Sequence, residues 1–169
     1  MFFERKKIFI IGDTGSGKTT LSKDLSVKFK IPCCDLDAIY WKVRFSALRG
    51  EDERRQLLSK VISKDEWVIA GIPEPWNRLA LQEASSIVIL ERSRIAEGAR
   101  VLQRYFVRKF RSGPRENMKV LLRLLYEKFV VQSSTRSRIA QICADFPEKI
   151  LVLRTEKEME KFISSDAVR

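Results

Sequence analysis

Apolar and polar residues alternate along this chain in two rhythms. Five short apolar runs, at 7–11, 31–35, 67–70, 87–90 and 150–153, recur between longer amphipathic stretches. Four of them (Ile8-Phe9-Ile10-Ile11, Trp67-Val68-Ile69-Ala70, Ile87-Val88-Ile89-Leu90 and Ile150-Leu151-Val152-Leu153) are unbroken by charge, the pattern of strands buried on both faces of a parallel sheet. The stretches between them read at the helical period. After the first run, Leu21, Leu25 and either Val27 or Phe29 share one side, with Lys23, Asp24 and Lys28 opposite. Helices follow at 51–63, carrying Leu57, Leu58, Val61 and Ile62, and at 78–83. Ser93 is placed to cap a long helix over 93–111, with Ile95, Ala99, Leu102, Phe106 and Phe110 on one stripe. Ser112-Gly113-Pro114 ends it, and further helices read over 115–131, 135–144 and 156–163. The aromatic stretch 38–45 has no clear period, and the prolines of 72–77 make a loop. Strands alternating with helices predict an α/β fold in three layers, a five-stranded parallel sheet with helices on both faces. Ligands of such a sheet gather at the carboxyl ends of its strands.

The end of the first strand carries the most specific pattern. Gly12-Asp13-Thr14-Gly15-Ser16-Gly17-Lys18-Thr19 is G-x-x-x-x-G-K-T between a strand and a helix, a P-loop. Gly12, Gly15 and Gly17 leave no Cβ between backbone N–H groups and an anion. The helix that opens there favours negative charge through its N–H groups and dipole. Lys18 sets a cation against the β- and γ-phosphates, the Thr19 hydroxyl completes a Mg²⁺ shell, and Thr20 continues the loop into the helix.

Composition narrows the picture. The 169 residues suffice for one domain, read as 1–169, and 44% hydrophobic with 33% charged residues fits a globular protein. No apolar run approaches the roughly 18 residues of a membrane span. The start has no room for an apolar signal core before the first strand, so a cytoplasmic protein without a membrane partner is expected. Cys33, Cys34 and Cys143 lack metal-ligand spacing and read as buried, reduced thiols. With no histidine in the chain, acid–base work falls to carboxylates, Lys or Tyr. The net charge is +11, and 92–138 alone holds 13 basic against 3 acidic residues. Arg100, Arg104, Arg108 and Arg111 lie on one side of the long helix. Such a block suits nucleic acid, an acidic surface or the phosphates of a small substrate, or is a solvated face.

The P-loop, Asp35-Leu36-Asp37-Ala38-Ile39-Tyr40-Trp41, the strand opening Trp67-Val68-Ile69, and Arg100-Val-Leu-Gln-Arg104 occur in that order. Together they resemble the bacterial "DNA topology modulation" FlaR-like proteins, themselves similar to adenylate and shikimate kinases. The resemblance spans roughly residues 8–162 and implies a P-loop NTPase fold with an acceptor-side helical segment at 36–63 and a helical lid at 108–134. It implies nucleotide binding through Gly12, Asp13, Thr14, Gly15, Ser16, Gly17, Lys18, Thr19 and Thr20. It implies that Asp35 lies near the metal with Thr19, while Asp37 meets the acceptor hydroxyl as its base. Arg100 would pack on the adenine and Arg104 reach the phosphates. Arg115, with Arg111, would close over the γ-phosphate, and Arg154 would fall in the adenine-contacting loop. Two departures stand out. The third strand ends Ala70-Gly71 where the family tends to have Asp-Gly, weakening the metal's outer shell and leaving Asp35 and Glu91 to serve. Glu74 stands where adenylate kinases carry an acceptor-binding arginine, so Arg44, Arg49 or Arg78 would have to substitute.

These features predict an ATP-binding phosphotransferase that uses Mg²⁺ and moves the γ-phosphate to a small-molecule or nucleotide acceptor. Two alternatives remain. One is a nucleotide-binding regulatory protein with little turnover. The other is a protein that binds or modifies nucleic acid through its basic helices. Tyr40, Trp41 and Trp76 either line an acceptor pocket or pack in the core.

Overall fold

The computed structural model describes residues 6–13, 15–43, 46–91 and 132–164. The predicted helices at 93–111 and 115–131 lie outside them, as do Arg100, Arg104, Arg111 and Arg115. Strand β1 (Lys7–Gly12) leads through the glycine loop into α1 (Lys18–Phe29), followed by β2 (Cys33–Asp35) and a short helix α2 (Leu36–Tyr40). A small hairpin of β3 (Trp41–Val43) and β4 (Ala47–Leu48) precedes α3 (Glu51–Ile62) and β5 (Trp67–Gly71). A 3-10 turn (Pro75–Asn77), α4 (Arg78–Glu83) and β6 (Ser86–Leu90) complete the first part. After it come α5 (Gln132–Asp145), β7 (Ile150–Leu153) and α6 (Glu156–Ser164).

The five strands form one sheet in the order β2-β5-β1-β6-β7, every neighbouring pair parallel. Strand period explains how it is covered. Ile8 and Ile10 of β1, with Val68 and Val88 beside them, pack against Leu21 and Leu25 of α1 and Phe162 of α6. Phe9 and Ile11, with Ile69, Ile87 and Ile89, face the opposite cluster with α2, α3, α4 and Ile142 of α5. The central strands are buried on both sides, as their unbroken apolar runs predict.

Several expectations are corrected. Of the two candidates on α1, Phe29 packs against the core while Val27 is 81% exposed. Strand β2 is three residues long, because Pro32 has no N–H to donate to a ladder. The described part of α5, Gln132–Asp145, takes in the whole of the predicted 135–144 helix. The cysteines are free, yet Cys33 is exposed at the sheet edge, and Cys34 and Cys143 are only half-buried.

Of the stretch 38–45, the described residues 38–43 hold the end of α2 and β3, elements too short to show a period. Side chains fix them instead. Arg49 donates from Nη1 to the carbonyls of Ala38 (2.8 Å), Ile39 (3.3 Å) and Trp41, and from Nε to Glu53 (3.0 Å). The guanidinium thus satisfies carbonyls at the C-terminal end of α2, which has no further turn to donate N–H groups to them.

Candidate active site

The glycine loop sits at the carboxyl end of β1, the central strand. Gly15 and Gly17 have φ of 85° and 102°, a region that strongly favours glycine. Gly12 is required for another reason: a Cβ there would lie 2.6 Å from Ser16 Oγ and 3.1 Å from Leu90. The loop folds back through Ser16 N–H donating to Asp13 O (3.1 Å). Gly17 caps α1 without a side-chain hydrogen bond, so the helix start presents backbone N–H groups to the loop's concavity. Lys18 Nζ donates to Gly12 O at 2.6 Å and Asp13 O at 2.8 Å, holding its ammonium inside the loop. Ser16 Oγ is buried with no hydrogen-bond partner. Thr20 is exposed, and Thr14 lies outside the described residues.

A chain of hydrogen bonds joins this loop to the next element. Thr19 Oγ1 donates to Asp35 Oδ2 at 3.2 Å, and Asp37 N–H donates to Asp35 Oδ1 at 3.1 Å. Asp35 is therefore both the partner of Thr19 and the N-cap of α2, with extended backbone and its side chain closing the first turn. Asp37 is exposed on that turn. The sequence brings these groups together because β2 and β1 flank β5, so their carboxyl ends lie side by side. Cys34, just before Asp35, has its thiol pushed up to about 11 by burial and then by the Asp35 charge.

The far side of the site is built from distant residues. Glu74 Oε2 accepts from Trp76 Nε1 at 2.7 Å, and Asn77 braces the same turn by accepting from Glu74 N–H (3.0 Å) and donating to Ile72 O (3.0 Å). Trp76 is 6% exposed and belongs to the core, 6.4 Å from the Tyr40 ring. Glu74 thus anchors a loop. Arg49 is committed to α2, and Arg78 is paired with Asp145 at 2.8 Å. Arg44 lies outside the described residues. A group with no local motif appears instead: Arg54 of α3, whose guanidinium lies 4.9 Å from the Tyr40 ring centre and 5.3 Å from that of Trp76. Its Nε is buried without a partner. Arg138 of α5 reaches the same loop, donating to Pro73 O at 3.4 Å. Neither arginine is distinguishable by spacing from its charged neighbours.

At the sheet's other side, Arg154 Nε donates to Glu91 at 3.0 Å. Its N–H and that of Thr155 donate to Glu158, whose own N–H donates to Thr155 Oγ1, a capping box for α6 that holds the Glu158 carboxyl below its usual range.

No group of three His, Cys, Asp or Glu among the described residues is arranged to hold a metal ion. Thr19 and Asp35 suit a magnesium ion that arrives with phosphates, since Mg²⁺ keeps water and phosphate oxygens and takes few protein ligands. The glycine loop, with its ammonium at Lys18 and the backbone N–H groups at the start of α1, suits the phosphates themselves.

No family model matches the chain. A curated relative, the uncharacterized protein YqaC of Bacillus subtilis, is 36% identical over 73 residues, 43% of this chain and 41% of that protein. The match therefore spans about two fifths of the relative's length. Solved structures extend the comparison over nearly the whole chain. Shikimate kinase from Acinetobacter baumannii, in complex with shikimate, superposes with a TM-score of 0.52 at 19% identity, over 97% of this chain and 96% of that one. A gluconokinase from Sinorhizobium meliloti gives 0.52 at 13%, over 96% and 89%. Shikimate kinase from Bacteroides thetaiotaomicron gives 0.50 at 17%, over 92% and 93%. The chain has the P-loop NTPase fold. Within that fold, the glycine loop at β1 and the Asp35–Asp37 turn at β2 stand at the carboxyl ends of two strands that both pair with β5. No helix among the described residues is long and apolar enough to cross a membrane.

Proposed function

We propose that the chain is an ATP-dependent phosphotransferase acting on a small hydroxyl-bearing acceptor. The observation that carries the reading is the bond sequence Thr19–Asp35–Asp37, which ties the phosphate loop to an exposed carboxylate. Lys18 exchanges its contacts with Gly12 O and Asp13 O for phosphate oxygens, and the N–H groups from Gly15 to Thr20 cradle them. Thr19 and Asp35 would hold Mg²⁺, which when bound would supply charge neutralisation for the phosphates. Asp37 takes the proton of the acceptor hydroxyl as its oxygen bonds to the γ-phosphorus; the bond to the bridging oxygen breaks and ADP leaves. Arg54 and Arg138 stand on the acceptor side, while Arg100, Arg104 and Arg115 complete the neutralising set from the segment outside the described residues. Arg154 borders the base of the nucleotide, exchanging Glu91 for it. The likeness to FlaR-like proteins belongs to this proposal, and the kinase folds of the neighbouring structures support it. Transfer from γ-labelled ATP, screened against polyols, sugars, carboxylated alcohols, nucleotides and oligonucleotides, tests it. A labelled product that disappears in Asp37→Asn is expected; slow release of free phosphate alone would sink the reading.

A second reading, a nucleotide-binding protein with little turnover, is favoured by Ala70. This residue pairs in register with Asp35, is 1% exposed, and lies in the apolar cluster under α1. Ala70→Asp separates the two: a rise in turnover would mean that the missing acid limits the natural chain. No rise, with lower stability from a buried carboxylate, is expected of a competent phosphotransferase.

A further inference from the structure

We propose that Gly71 is a positioning residue, the seat on which Leu36 rests so that α2 holds Asp37 at a fixed place beside Thr19. This rests on the reading of Asp37 as the base. The last residue of β5 has no left-handed backbone to explain a glycine; among the described glycines that property belongs to Gly15 and Gly17. Its requirement is space. A Cβ on Gly71 would lie 2.6 Å from Leu36 Cβ, 2.6 Å from Cδ1 and 2.8 Å from Cγ. A distal methyl could swing aside, but Leu36 Cβ is fixed to the backbone, so the helix itself would have to shift. Leu36 is 3% exposed and closes this contact against the core.

The shift would be transmitted because α2 is a single five-residue turn held at both ends. Asp35 caps its start and is paired across β5 with Ala70, one residue before the seat. Arg49 binds the carbonyls at its end. Asp37 is the next residue after Leu36, so a push at Leu36 is a displacement of Asp37 and of its N–H bond to Asp35. The glycine loop stands on β1 and α1 and meets this turn through the Thr19–Asp35 bond at its cap, ahead of the Leu36 seat. Gly71 therefore sets the geometry of the base without setting nucleotide affinity.

Amide spectra of the ¹⁵N-labelled full chain test this in Gly71→Ala, Leu36→Ala and the Gly71→Ala/Leu36→Gly double variant, with Mg·ATP affinity and γ-phosphate turnover measured alongside. In Gly71→Ala the Asp37 amide should move and exchange faster. Affinity for Mg·ATP should stay within about two-fold, and turnover fall by about ten- to a hundred-fold, the effect of misplacing a catalytic group by around an ångström. The double variant, which removes the Leu36 Cβ and so reopens the space, should return the Asp37 amide and most of the turnover. An unmoved Asp37 amide in Gly71→Ala, or no recovery in the double variant, overturns the proposal. If the amide moves and recovers while turnover never changes, the seat stands and the assignment of Asp37 as base fails. Should Gly71→Ala not fold, Leu36→Ala with Gly71 intact must still speed exchange at Asp37 by at least about ten-fold while Lys18 and Thr19 keep theirs. Equal exchange there also overturns it.

Discussion

The two halves of the site are built on different principles. On the donor side, residues adjacent in sequence build the cradle, and Lys18 lies on the loop's own carbonyls at Gly12 and Asp13. On the acceptor side, from Asp35 to Arg78, several polar side chains are engaged in holding the structure. Arg49 ends a helix, Glu74 binds an indole, Asn77 braces a turn, and Arg78 reaches Asp145. Phosphate is recognised by backbone, so its signature is local and survives in the sequence. An acceptor is recognised by the shape left over after packing, so its signature is distributed. The difference also explains the glutamate at 74, which serves the loop's own stability through Trp76.

Variants can break or sharpen this contrast. Lys18→Ala should lower γ-phosphate turnover by on the order of 10³-fold, since charge neutralisation carries most of the catalysis in phosphoryl transfer, with a melting temperature unchanged within a few degrees. A comparable loss of stability would show that the donor loop is structural too. Asp37→Asn should lower transfer by about 10²–10⁴-fold while ATP still binds in calorimetry. On the acceptor side the currency is stability. Trp76→Ala should destabilise by about 3–5 kcal/mol in denaturant unfolding, because a buried indole leaves a cavity and orphans Glu74. Arg49→Leu should lose about 1–3 kcal/mol by unbinding the end of α2. If either leaves unfolding unchanged, the acceptor side is less committed to structure than its bonds indicate.

The smallest effect concerns pH. The Cys34 thiol is raised to about 11 in the folded chain, so between roughly pH 9 and 11 the unfolded chain ionises while the folded one holds its proton. Stability should fall across that window and be unaffected by this group below it. Cys34→Ala should flatten the decline, and an unchanged slope would remove Cys34 as its source.

Strand runs such as Ile87-Val88-Ile89-Leu90 were legible because burial on both faces leaves an unbroken apolar word. The glycine loop was legible because every member is adjacent in sequence. Helix α2 and the hairpin were not, since five-, three- and two-residue elements carry no period and depend on one arginine from outside. Arg54 was hidden among Glu51-Asp52-Glu53-Arg54-Arg55, where only the fold distinguishes it from Arg55, which pairs with Glu51 at 2.6 Å. Gly71 read simply as a strand end; its neighbour Leu36 lies 35 residues earlier in the chain, a contact no spacing rule connects.

In the proposed phosphotransferase, the glycine loop binds the nucleotide through Lys18 and does so without the Asp37 carboxylate. Calorimetric titration of Mg·ATP into the natural chain, Lys18→Ala and Asp37→Asn tests that most directly. Binding should weaken by at least about ten-fold in Lys18→Ala, a loss of about 1.4 kcal/mol or more, and stay unchanged in Asp37→Asn. Equal binding by the natural chain and Lys18→Ala would contradict it.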